Sequence, residues 1–158
     1  MKILLKTILL SAALGVAGIA AAAGAVDPVV GTWTLNLAKS KFDGSPELKS
    51  QTRAYTEDSD GISVTVTGER TDGTAISQQS TFKYDNKAYQ WTGSADYDAI
   101  SLKRVNGSTV TAVLMKTGKT VGTTTRSISG HGKVLTLSTK LTGADGKASS
   151  TVLVFDKQ

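Results

Sequence analysis

Seven turn signals punctuate residues 60–146 at fairly even intervals: Asp60-Gly61, Asp72-Gly73, Asp85-Asn86, Asn106-Gly107, Thr117-Gly118, Gly130-His131-Gly132 and Asp145-Gly146. Gly, Asn and Asp tolerate the left-handed backbone that tight hairpin turns require, so each signal marks a reversal of the chain. The runs between them are rich in Val, Ile, Leu, Thr and aromatic residues and are each long enough for one strand. Consecutive hairpins follow. A meander of this length buries its two free edges by rolling into a closed or nearly closed barrel. Such a pattern constrains the container far more than its contents.

The alternation predicts a first strand through Trp33, Leu35 and Leu37, with Thr32, Thr34 and Asn36 on the opposite face. Further strands are predicted over 52–57, 62–67, 75–84, 87–92, 99–105, 109–116, 120–129, 134–141 and 149–155, so the expected fold is all-β, an antiparallel up-and-down meander of about ten strands. A sandwich would need a long crossover between sheets, and nearly all the connections here are too short for one. The stretch 38–48, with Gly44, Ser45 and Pro46, is the longest without strand character; it has room for no more than a turn of helix and could cover one mouth of a barrel. In 120–129, Ser and Thr occupy both faces, which fits either a hydrated interior or a weakly covered strand.

The first 25 residues read as a separate object. Lys2 and Lys6 form a positive start, residues 8–20 an apolar stretch dominated by Ala and Gly, and Ala23-Gly24-Ala25 a small-x-small cleavage signal, with cleavage after Ala23 as the near alternative. The expectation is an export signal over 1–25 and a single barrel domain over 26–158, delivered to the periplasm or the medium. Removing Lys2 and Lys6 leaves 16 basic residues against 13 acidic ones, a mild +3. The basic residues stand singly, with no basic run and no aromatic-interleaved stripe, so no nucleic-acid surface is expected. There is no Cys, which excludes disulfides, thiolate metal sites and a lipid-anchored cysteine.

Gly31-Thr32-Trp33 at the start of the first strand resembles the Gly-x-Trp opening of the calycins, the lipocalin and fatty-acid-binding barrels. The resemblance extends to the hairpin-linked strands across the mature chain and to the ending 152–157, Val-Leu-Val-Phe-Asp-Lys. The longer opening over 31–42 is also similar to a group of small exported bacterial lipocalin-like proteins. The resemblance implies a calycin-like barrel with Trp33 closing one end and Gly31 letting the backbone pass close beneath it. It also implies an Arg stacked over that Trp, with Arg126 and Arg104 as candidates. Two departures stand out. Fatty-acid-binding proteins place two helices between the first two strands, for which 38–48 is too short. They also carry an Arg-x-Tyr pair on the last strand that grips a ligand carboxylate, where this chain has Leu153 and Phe155.

Catalysis has few raw materials. The single His, His131, sits between glycines in an expected turn, and no Ser or Thr stands in a nucleophile-elbow context. No enzyme activity, metal or cofactor is expected. Asp96-Tyr97-Asp98, with Asp85 upstream, could offer oxygens to calcium but reads first as turn-forming Asx residues, and Asn106-Gly107-Ser108 reads as a hairpin turn before a glycosylation acceptor. Candidate ligand contacts are Arg53 and Tyr55, which share a face with Gln51, together with Arg104, Arg126 and the same-face pair Tyr89 and Trp91. For Arg104 the competing expectation is an outward snorkel at a strand end.

The function expected is binding of a small, mostly apolar molecule inside an exported barrel. The alternative is a non-enzymatic envelope interaction module with a filled interior. An outer-membrane barrel is a third reading, but it would have long loops on one side, aromatic girdles and usually an aromatic C-terminus; short turns at both ends and the ending Asp156-Lys157-Gln158 argue against stable membrane insertion.

Overall fold

The computed structural model describes residues 24–158, so residues 1–23 of the expected export signal lie outside the described residues. Where polar and apolar residues alternate, strands form. In β4 (Gly61–Arg70), Ile62, Val64 and Val66 are buried while Thr65 and Thr67 face out, which is the period of a sheet with one face on a core. The same logic builds β3 (Leu48–Asp58), β5 (Ala75–Phe82), β7 (Ala99–Arg104) and β8 (Thr109–Lys116). It also builds β10 (Val134–Thr142) and the second half of β11 (Ala148–Lys157), while β9 (Lys119–Ser129), with hydroxyls on both faces, takes its place through pairing with β10 and β8.

The short first strand, β1 (Gly31–Leu35), pairs antiparallel with β3 on one side and β11 on the other and so joins the two ends of the chain. The complete order is β5-β4-β3-β1-β11-β10-β9-β8-β7-β6, where β6 is Asp85–Gln90. This is the expected ten-strand antiparallel meander, and it forms a nearly closed barrel.

Two local expectations are corrected. The stretch 38–48, which lacks strand character in the sequence, contains β2 (Lys41–Asp43) after a 3-10 turn at Leu37–Lys39, and β2 pairs with Ser150 to Val152 of β11. Three residues are too few to show a period, so β2 had no signature. The turn signal Asp85-Asn86 does not close a hairpin. Asp85 Oδ1 accepts from the Lys87 amide at 3.1 Å, Asn86 has a φ of 63°, and the ladder between β6 and β7 is irregular there. An Asx turn suits a bulge as well as a hairpin.

In consequence β5 and β6 are not laddered, and their seam is stitched at single points. Backbone bonds link Gln79 and Thr92 in both directions, Ser80 Oγ donates to the Gln90 carbonyl at 2.7 Å, and Trp91 Nε1 donates to Gln78 Oε1 at 3.1 Å. Gly93 lets the chain pass this close. Its φ is +80°, and a Cβ there would lie 1.9 Å from the Ser77 carbonyl oxygen.

Candidate functional site

The two ends of the barrel differ. At the end carrying the chain termini of the meander, Trp33 is fully buried and its Nε1 donates to the Val29 carbonyl at 2.7 Å. Lys157 Nζ lies 5.0 Å from the centre of the Trp33 ring system. Lys157 therefore takes the place expected of Arg126 or Arg104, because Trp33 and Lys157 face each other in the ladder between β1 and β11. Gly31 has a φ of 130°, and a Cβ there would come within 2.7 Å of Lys157 Cε, so the glycine serves both the backbone turn-in and the lysine stem. A ten-strand meander closed by its first strand and stoppered by the Trp of a Gly-x-Trp opening settles the architecture. The barrel is calycin-like.

Beside Trp33 a polar cluster completes the seal. Asp27, with a side chain 4% exposed, accepts from the Val29 amide at 2.9 Å and from Arg104 Nη2. The Arg104 guanidinium lies 4.2 Å over the Tyr84 ring, and Arg126 Nη2 donates to the Tyr84 hydroxyl at 2.6 Å while lying 5.8 Å from the Tyr55 ring centre. Burial alone would raise the Asp27 carboxyl, but the Val29 amide, Arg104, Tyr84 and the charge of Arg126 more than reverse this and hold it below the ordinary carboxylate range. Burial pushes the Tyr84 phenol up to about 12, and Arg126 offsets only part of that. Arg104 thus turns inward to a carboxylate rather than snorkelling away from the barrel: Asp27 and the Tyr84 face are the nearest partners for its charge.

At the opposite end the calycin-like barrel is open. A cavity of about 640 Å³ runs down from the turns that follow β2, β4, β8 and β10 and from the loop between β6 and β7. Its upper walls include Phe42, Leu48, Ile76 and Leu141, and its floor is Gln51, Arg53 and Leu153. Inward hydroxyls occur as well: Thr139, in the wall, pairs with Thr124 at 2.8 Å, which favours the hydrated-interior reading of 120–129. A second depression of about 480 Å³ lies across the ends of β9, β10 and β11 and is more open.

Of the six candidate ligand contacts, Arg53 alone lines the larger cavity. It is 8% exposed; its Nε donates to Gln51 Oε1 at 3.0 Å and its guanidinium sits 5.5 Å from the Phe155 ring centre. Among the described residues no carboxylate lies within 4.0 Å of it. Tyr55, Arg104 and Arg126 belong to the sealed end. Trp91 is buried against Tyr97 and the β5–β6 seam, and the half-buried Tyr89 donates its hydroxyl to Asp85 at 2.9 Å. Sequence reasoning missed Tyr97, which lines the cavity; burial pushes its phenol up to about 12, with the charge of Arg53 opposing. The Asn106 side chain accepts from the Ser108 amide at 2.9 Å as a turn former, whereas Asp98, beside Tyr97, accepts from the distant Thr117 amide at 3.0 Å and so ties the β6–β7 loop to the turn after β8 instead of forming a turn of its own.

No protein-family model and no curated protein matches the sequence. In three dimensions the chain is similar to the crystal structure of zebrafish ileal bile acid-binding protein complexed with cholic acid. That similarity has a TM-score of 0.49 and 13% sequence identity, over 83% of this chain and 99% of that one.

Proposed function

We propose that this protein is an exported, non-enzymatic carrier or sequestering barrel that takes a small, mostly apolar molecule into its interior. One observation carries the reading: an internal space of about 640 Å³, open at one end and sealed at the other. That volume falls in the range of pockets that bury drug-sized ligands, roughly 300–1,000 Å³. An interaction module acting through its outer surface has no use for such a space and would be filled by its own side chains. The export part of the proposal rests on the pattern of residues 1–25.

The test is native mass spectrometry of protein purified from its own cell envelope, followed by titration with neutral lipids, fatty acids and aromatic dyes. A bound apolar molecule is expected, and Leu141→Trp, which fills the upper wall, should abolish its retention. A ligand-free protein that binds none of these probes would refute the carrier reading and favour the interaction module.

A further inference from the structure

Among the described residues, Arg53 is a cation held in the barrel without an anionic partner. Its side chain is more than nine-tenths buried, its Nε is occupied by the neutral Gln51 amide, and its remaining face lines the cavity floor. The other two inward arginines are already engaged: Arg104 holds Asp27, and Arg126 holds the Tyr84 hydroxyl with Asp27 close enough to share its charge. Removing a guanidinium from bulk water is costly unless charge or hydrogen bonds replace the lost hydration. A neutral ligand filling the cavity would strip the remaining water from Arg53 and return nothing. An anionic oxygen pair would return two charge-assisted hydrogen bonds in the planar geometry that guanidinium favours.

We propose that Arg53, oriented by Gln51, is the headgroup subsite for an amphiphile with one anionic group, bound head-down on the cavity floor with its apolar body between Leu48, Ile76 and Leu141. The inference rests on the carrier reading and narrows its ligand class. The placement differs from a grip on the last strand: Leu153 and Phe155 of β11 supply only apolar surface, and the Phe155 ring supports the guanidinium from below. The rim agrees in sign. Arg70, Lys116 and Lys147 line the open end against Asp96 and Asp145, an excess of one positive charge, and Asp145 is 3.6 Å from Lys147. The mouth is only mildly basic, so selectivity for the anion rests on the buried Arg53 at the bottom.

A matched pair of fluorescent probes separates this inference from the reading beneath it: 1-anilinonaphthalene-8-sulfonate and N-phenyl-1-naphthylamine, which share a ring system and differ by the sulfonate. Wild-type protein should bind the sulfonate at least tenfold more tightly. Arg53→Gln should bring the two affinities within about twofold of each other by weakening the sulfonate, while the neutral probe, with no cation left to desolvate, binds as tightly or tighter. Gln51→Glu, which keeps Arg53 but sets a carboxylate against it, should do the same and stands in if Arg53→Gln fails to fold. Equal binding of both probes by wild type, or a sulfonate preference that survives both substitutions, overturns the headgroup subsite and leaves the carrier intact. Failure of wild type to bind either probe overturns both.

Discussion

Replacing Trp33 by alanine tests whether the sealed end holds the barrel together or merely decorates it. The side chain is fully buried, so the whole indole surface is at stake. An aromatic of this kind buries about 150–250 Å², worth about 4–6 kcal/mol at about 25 cal/mol per Å². A compact denatured state already hides part of that area, which brings the loss to about 3–5 kcal/mol. The Nε1 bond to the Val29 carbonyl, at 2.7 Å, adds about 1 kcal/mol net, and Lys157 above the ring adds a fraction of that because its ammonium reaches solvent. The expected cost of Trp33→Ala is therefore about 4 kcal/mol, in line with truncation of large core aromatics. In urea melts followed by far-ultraviolet circular dichroism, a slope of about 2 kcal/mol/M turns this into a midpoint lower by about 2 M. Trp33→Phe keeps most of the apolar area and orphans only the Val29 carbonyl, so it should cost about 1–2 kcal/mol. A loss below about 1 kcal/mol for Trp33→Ala would refute the plug and with it the energetic meaning of the Gly-x-Trp opening.

Other predictions concern the seal, the tyrosines and the turns. Asp27→Asn should destabilise by about 1–2 kcal/mol at pH 7, since Arg104 is part-exposed and regains some hydration; because the folded carboxyl titrates below its unfolded value of 3.8, the wild-type advantage is present above that pH and should shrink as pH falls through the lower folded value, read by melts at pH 7 and below 3. Tyr84 and Tyr97 should ionise near pH 12 rather than 10 in an absorbance titration, so the stability they lend is lost as pH rises from 10 towards 12. Gly93→Ala should cost at least about 2 kcal/mol and loosen the β5–β6 seam, because the new Cβ meets backbone; a neutral result in urea melts would show that the seam yields freely. Thr117 carries a φ of 49° in the Thr117-Gly118 turn, so Thr117→Asn should raise Tm by about 2–4 °C, measured calorimetrically.

Most of the barrel was legible because a half-buried strand writes its own face in alternate residues and tight turns need residues that tolerate positive φ. What parity cannot give is depth along the barrel axis. Arg53, Arg104 and Arg126 all share a face with core residues, and all three do point inward. Which of them reaches the cavity depends on register: Arg53 is paired with Trp33 and Val66, two residues nearer the open end than Tyr55 and so on the inner side of the plug, whereas Arg126 faces Leu137 and Val110 near the sealed end. Register is fixed by the sum of many pairings, so no local window of sequence contains it. Tyr97 was hidden for a related reason. It sits in a loop, where no period applies, and it earns its place only when the β6–β7 connection folds over the mouth.

The split pairing of β11 has a consequence of its own. Its lower part, from Phe155 to Lys157, is zipped to β1, while Ser150 to Val152 meet only the three residues of β2, with the 3-10 turn interrupting the strand between. Along its other edge β11 is zipped to β10 without a break from Ala148 to Asp156. Release of β2 thus removes one short ladder and leaves the rest of the wall standing, so its free energy of opening lies well below that of global unfolding. Hydrogen exchange would then show two tiers: amides of β1, β10 and lower β11 protected to the full stability of the domain, and those of Lys41 to Asp43 exchanging by a local event. Phe42, carried on that strand, lines the cavity. Such an opening would widen the upper chamber without unfolding the rest of the wall.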